Sequence, residues 1–248
     1  MKKEQFPLYF AVLFGAAAAI VRFWMASSAR NDKNLPVFSH PSTYLLCILF
    51  LAVCAAAVWC FSVLRQPQGP EILSYTKMEG AAGMAGGILI LVSACAEFVE
   101  ALRSGSSMLT ALVFLAMLLS GICMIISAYL RKQHNLSFPL CEILILICMT
   151  FILVIRFKTW STDPIVLDYF FDFLALLLAL LSFHASVGCL FSHPTPKRAL
   201  LFTMACVTAC GAAMGESVQA LSLSGFLQSC GYLIWSLPVL RCLTMQDF

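Results

Sequence analysis

Eight apolar runs, each about long enough to cross a hydrocarbon core of roughly 30 Å, take up most of this chain, and short polar breaks separate them. They are read at residues 7–26, 43–64, 80–102, 108–130, 138–158, 165–190, 199–220 and 224–241. With every backbone polar group needing an internal partner in lipid, runs of this length and closeness predict helices, and so an all-α, polytopic transmembrane bundle. The remaining composition agrees: 61% of the 248 residues are hydrophobic and 11% are charged, against about a quarter charged in ordinary soluble domains. The lipid bilayer is therefore the first partner predicted. The net charge of +3 is scattered over many loops, which argues against nucleic acid.

The breaks carry turn chemistry, including Gln66-Pro67-Gln68-Gly69-Pro70, Ser104-Gly105-Ser106 and Ser192-His193-Pro194-Thr195-Pro196. Thr162 or Asp163 can cap the sixth run, with Pro164 suited to its first helical position. The seventh and eighth runs are diluted by Gly211, Gly215, Glu216 and Gln219, so residues 199–241 also admit one span plus a re-entrant segment, seven crossings in all. Lys2 and Lys3 ahead of the first run suit a signal peptide, but Pro7 and Arg22 favour a retained helix.

Lys and Arg set the expected orientation. Counting alternate connections, nine fall on one side (Arg131 and Arg241 among them) and five on the other (Arg156 among them). This predicts a cell-membrane protein with both termini in the cytoplasm.

The two halves share an ordered series of elements. Phe6-Pro7-Leu8 and Val21-Arg22-Phe23 bracket the first run, as Phe138-Pro139-Leu140 and Ile155-Arg156-Phe157 bracket the fifth. Glu97-Phe98-Val99-Glu100-Ala101-Leu102 near the end of the third run parallels Glu216-Ser217-Val218-Gln219-Ala220-Leu221 near the end of the seventh. Four spans per unit is an even number, so duplication predicts a 4+4 parallel repeat within a single membrane domain, residues 1–132 and 133–248.

Ionisable groups inside spans cost about 2.5–3.5 kcal/mol on insertion scales and usually find partners. At 1.5 Å per residue, Arg22, Glu97, Arg156 and Glu216 each fall roughly 24–27 Å along their spans, in one layer near the outer edge. Asp168 and Asp172 descend into that layer from the start of the sixth run. Pairing of Arg22 and Arg156 with Glu97 and Glu216 is the simplest arrangement. Glu97, Glu100, Asp168, Asp172 and Glu216 are the candidate ligand- or ion-binding residues, and Arg22 and Arg156 the structural ion-pairing ones. The competing explanation is that all of them mark helix ends.

Other signals are weaker. Gly83 with Gly87, and Gly211 with Gly215, have the spacing that allows close helix approach. Trp24, Trp160 and Trp235 fall near expected interfaces, as in aromatic belts. Cys206 and Cys210 share a face and read as packing, and His184 has no evident intramembrane mate for haem ligation. No catalytic motif, metal cluster or nucleotide fingerprint is present, so neither an enzyme nor a cofactor is predicted. The sequence thus favours a small-solute or ion transporter, or permeation protein, with an outward-facing polar site for a small cation, proton or polar solute. Next is a membrane sensor or accessory subunit that binds a partner membrane protein, and last an intramembrane enzyme or redox subunit.

Overall fold

The computed structural model describes residues 6–28, 40–63, 75–104, 108–133, 137–161, 170–188 and 196–244. Eight helices cover them: α1 (Phe6–Ser28), α2 (Pro41–Val63), α3 (Lys77–Ser104), α4 (Met108–Lys132), α5 (Phe138–Trp160), α6 (Phe170–Gly188), α7 (Pro196–Gln219) and α8 (Leu223–Thr244). All eight are long and apolar enough to cross a membrane, and the described residues contain no strand. The last two runs are two separate helices, each long and apolar enough to span. The proposed cap at Thr162, Asp163 and Pro164 lies outside the described residues.

Helices α3 to α8 pack in chain order and close into a ring where α8 returns to α3, with α1 and α2 lying against α7. That leaves α7 enclosed, which explains its weak hydropathy. The apolar window of α7 is 78% buried with hydropathy 1.5, whereas that of α5 is 39% buried with hydropathy 2.7. A helix surrounded by protein can carry hydroxyls provided that they are satisfied. Thr203, Thr208 and Ser217 donate to the carbonyls of Ala199, Met204 and Ala213, one turn back, at 2.6, 3.1 and 2.9 Å.

Small residues bring the backbones into contact. A Cβ on Gly211 would collide with the Gly15 carbonyl oxygen, and one on Gly215 with that of Ala19. Only glycine fits at these two crossings of α1 and α7. On α3, Gly87 meets Gly121 of α4 while Gly86 meets Gly231 of α8, so neighbouring glycines serve different partners.

The α4–α5 contact is built differently. Val113, Met117, Ser120, Met124, Ser127 and Arg131 recur at spacings of four and three along α4, as do Phe138, Glu142, Ile145, Met149, Ile152 and Arg156 along α5. This is a seven-residue seam of the knobs-into-holes type. Arg131 near the end of α4 meets Glu142 near the start of α5, and Met117 meets Arg156 at the opposite end, so the two helices run antiparallel. Trp235 belongs to the interior and not to an aromatic belt: it is 1% exposed and stacks on Phe183 with ring centroids 3.4 Å apart.

Candidate functional site

A partly open cavity of about 280 Å³ lies at the end of the bundle where α3 and α5 finish and α4, α6 and α8 begin. Glu97 and Glu100 reach it from α3, Thr110 and Val113 from α4, Arg156, Thr159 and Trp160 from α5, and Asp172 from α6. Ser222, Ser224, Gly225 and Gln228 add to the wall, with Leu109 and Ile155 as apolar lining.

The turn that delivers those serines is held by backbone geometry. Leu221 N–H donates to Val218 and Ser222 N–H to Ser217, the pairing of a Schellman cap. The residue that must be left-handed in this cap is usually glycine, but here it is Leu221, with φ 54°.

Arg156 organises the wall. One terminal nitrogen donates to Glu97 Oε2 at 2.7 Å and the other to Gln228 Oε1 at 2.8 Å. The Gln228 amide then donates to Tyr232 Oη at 3.3 Å, which fixes the direction of the amide. The guanidinium also lies 5.7 Å from the centre of the Trp160 ring. Ser224 donates to Glu100 Oε2 at 2.9 Å. Asp172 is half-buried and within electrostatic reach of Arg156, Arg22 and Glu97, yet among the described residues its carboxylate makes no hydrogen bond or ion pair. The cavity therefore gathers three carboxyl groups against one guanidinium, and one carboxylate is uncommitted.

A second ion pair stands at the same end. Arg22 of α1 pairs with Glu216 of α7 through two hydrogen bonds, one of them Nε to Oε2 at 3.2 Å, and both residues are buried. The ring of Phe171, next to Asp172 in α6, covers the Arg22 guanidinium at 4.6 Å. Of the residues singled out in the sequence, Glu97, Glu100, Asp172 and Arg156 thus meet at the cavity, while Glu216 and Arg22 neutralise each other beside it. Asp168 lies outside the described residues. His184 is exposed on α6. Cys206 and Cys210 have their sulfurs 3.8 Å apart inside the bundle, with Ser236 Oγ 3.4 Å from Cys206.

The opposite end holds polar groups that sequence reasoning missed. Arg131, read there as a loop charge, is 1% exposed and pairs with Glu142, which is 0% exposed. Ser127 donates to Glu142 at 2.9 Å, and Arg131 donates to Tyr75 Oη at 3.1 Å. Tyr75 precedes α3, and burial pushes its phenol well above the ordinary range, so it stays a neutral acceptor for Arg131. Thr76 and Glu79 form a capping box at the start of α3, with Thr76 N–H donating to Glu79 at 2.7 Å, and Glu79 also pairs with Arg241 of α8 at 3.3 Å. The Thr-x-x-Glu pattern was available to find that box.

Eight membrane-length apolar helices around buried ion pairs define a multi-pass integral membrane protein. No protein-family model matches the chain, and neither a curated protein nor a solved structure gives a match.

Proposed function

We propose that this membrane protein is a small-solute or ion transporter, or permeation protein, whose cavity takes a small cation. The observation that carries the reading is Asp172, a half-buried carboxylate with no direct partner among the described residues, in a cavity where carboxyl groups outnumber guanidinium three to one. Such an excess favours a cation over an anion or a neutral solute. Asp172 would be its direct ligand, with Glu97 and Glu100 supplying field and further acceptors. The hydroxyls of Thr110, Thr159 and Ser222 would replace part of its hydration shell. No catalytic motif argues for an enzyme.

In this reading the cavity faces outward from the cell membrane and both termini are cytoplasmic. Withdrawing Arg131, which is buried, and Arg156, which is half-buried in the cavity wall, from the charge count removes one from each side and leaves the excess unchanged. The parallel repeat draws support from the two ion pairs, since Arg22–Glu216 and Arg156–Glu97 each join corresponding helices of opposite halves. Helix packing follows the repeat only in part: the α3–α8 contact is extensive and its counterpart, α7 with α4, is not.

The alternative, a sensor or accessory subunit, is favoured by the closed Arg22–Glu216 pair, which fills its share of the layer. Purified protein titrated with methylammonium, guanidinium and potassium separates the two. Ligand-dependent stabilisation that disappears in Asp172→Asn supports the cavity reading. A folded wild type indifferent to all three cations would sink it.

A further inference from the structure

The buried group at the opposite end of the α4–α5 seam has the chemistry of a cation site that is already filled. The Arg131 guanidinium lies 4.9 Å from the ring centres of both Tyr75 and Phe138. It donates to the Tyr75 hydroxyl and to Glu142 Oε1, and Ser127 donates to that same carboxylate oxygen. Two aromatic faces, a carboxylate and hydroxyl oxygens around one positive charge are what recognise an ammonium or guanidinium ion. The occupant fits incompletely: Arg131 Nε and Glu142 Oε2 are buried and have no hydrogen-bond partner. Each unmade bond carries a desolvation cost that lowers the barrier to exchanging Arg131 for a freely placed cation.

Position links this cage to the outer cavity. Arg156 and Glu142 sit on the same stripe of α5, fourteen residues apart, which is about 21 Å along a helix and most of the way across a core of roughly 30 Å. Between them the seam holds Met117, Met124 and Met149 together with Ser120, Ile145 and Ile152, all at most 1% exposed, so that three of its six buried residues are methionine. Their unbranched thioethers repack more readily than branched side chains. Helices α4 and α5 thus carry an open polar cavity at one end, a closed polar cage at the other, and adaptable apolar packing in between.

We propose that the Tyr75–Phe138–Glu142 cage is a second cation site, at the closed end of a path that begins at the outer cavity, with Arg131 as the tethered occupant that a passing cation displaces. The path rests on the cation reading of the cavity, whereas the cage can be tested without it. Guanidinium chloride serves as the probe, with sodium chloride at equal ionic strength as the control. In an Asp172→Asn background, which silences the outer cavity, millimolar guanidinium raises the thermal midpoint of Arg131→Ala by several degrees and leaves the parent and Arg131→Lys unmoved; a folded Arg131→Ala that does not respond overturns the cage.

Should Arg131→Ala not fold, Glu142→Gln retains the plug and tests the path. Its uptake of labelled guanidinium into proteoliposomes falls on the order of tenfold below wild type, while Asp172-dependent binding at the cavity persists. Unchanged uptake by folded Glu142→Gln removes the cage from the path. A wild type that shows neither Asp172-dependent binding nor uptake defeats the cavity reading and the path together, and where Arg131→Ala folds its midpoint shift decides the cage independently.

Discussion

Arg156 joins three helices at once, because its α5 side chain donates to Glu97 of α3 at 2.7 Å and to Gln228 of α8 at 2.8 Å. Hydrogen bonds to charged groups contribute about 1.5–3 kcal/mol, and this one is partly exposed, so the lower half of that range applies. A double-mutant cycle of Arg156→Gln with Glu97→Gln, followed by detergent unfolding, is expected to give a coupling of about 1.5–2 kcal/mol. Strict additivity would mean that the pair contributes nothing to the bundle.

The α1–α7 crossing predicts sharp position dependence among glycines. Gly211→Ala forces a methyl group against the Gly15 carbonyl, so the helices must separate and the thermal midpoint falls markedly. Gly188→Ala meets nothing within 4 Å and leaves the midpoint unchanged. Equal midpoints for the two variants would contradict the close approach.

Leu221 runs the other way. A left-handed conformation costs an L-residue about 1–2 kcal/mol, and Leu221 is 90% exposed, with little packing to lose. Leu221→Gly should therefore stabilise the protein by about 1 kcal/mol, less glycine's greater entropy in the unfolded chain. A stability loss would show that the leucine side chain has a role the cap does not explain.

Breaking the buried Arg131–Glu142 pair by one substitution leaves a charge stranded, at a cost of about 3–5 kcal/mol. Replacing both residues with Met removes the charges together and should cost well under the sum of the single changes. Equilibrium unfolding of Arg131→Met, Glu142→Met and the double variant measures this. Additive losses would show that the two residues act independently.

Much of the layer at the cavity end could be read in advance because helical rise converts sequence position into depth. Arg22, Glu97, Arg156 and Glu216 each sit near the end of an apolar run, so counting residues brings them level, and opposite charges at one depth imply pairs. Depth does not say which face a side chain takes. Position alone puts Trp235 at an interface, although it lies on the enclosed side of α8 against Phe183. Position alone likewise groups Arg131 with the loop cations. The missed clue was Glu142, an acid inside an apolar run, only 11 residues from Arg131 across a tight helical hairpin. The low hydropathy that leaves α7 open to a second reading in the sequence has a packing cause, since most of α7 is buried against other helices.

The Arg22–Glu216 pair joins residues 194 positions apart, and the glycine crossing beside it is equally remote in sequence. At about 5–20 residues per second of synthesis, Arg22 must wait roughly 10–40 s before its carboxylate partner has been made. Throughout that interval the first span enters or lingers in the bilayer with an uncompensated cation and an open stripe of small residues. The face of α1 that α7 finally covers is therefore completed only once α7 has been made.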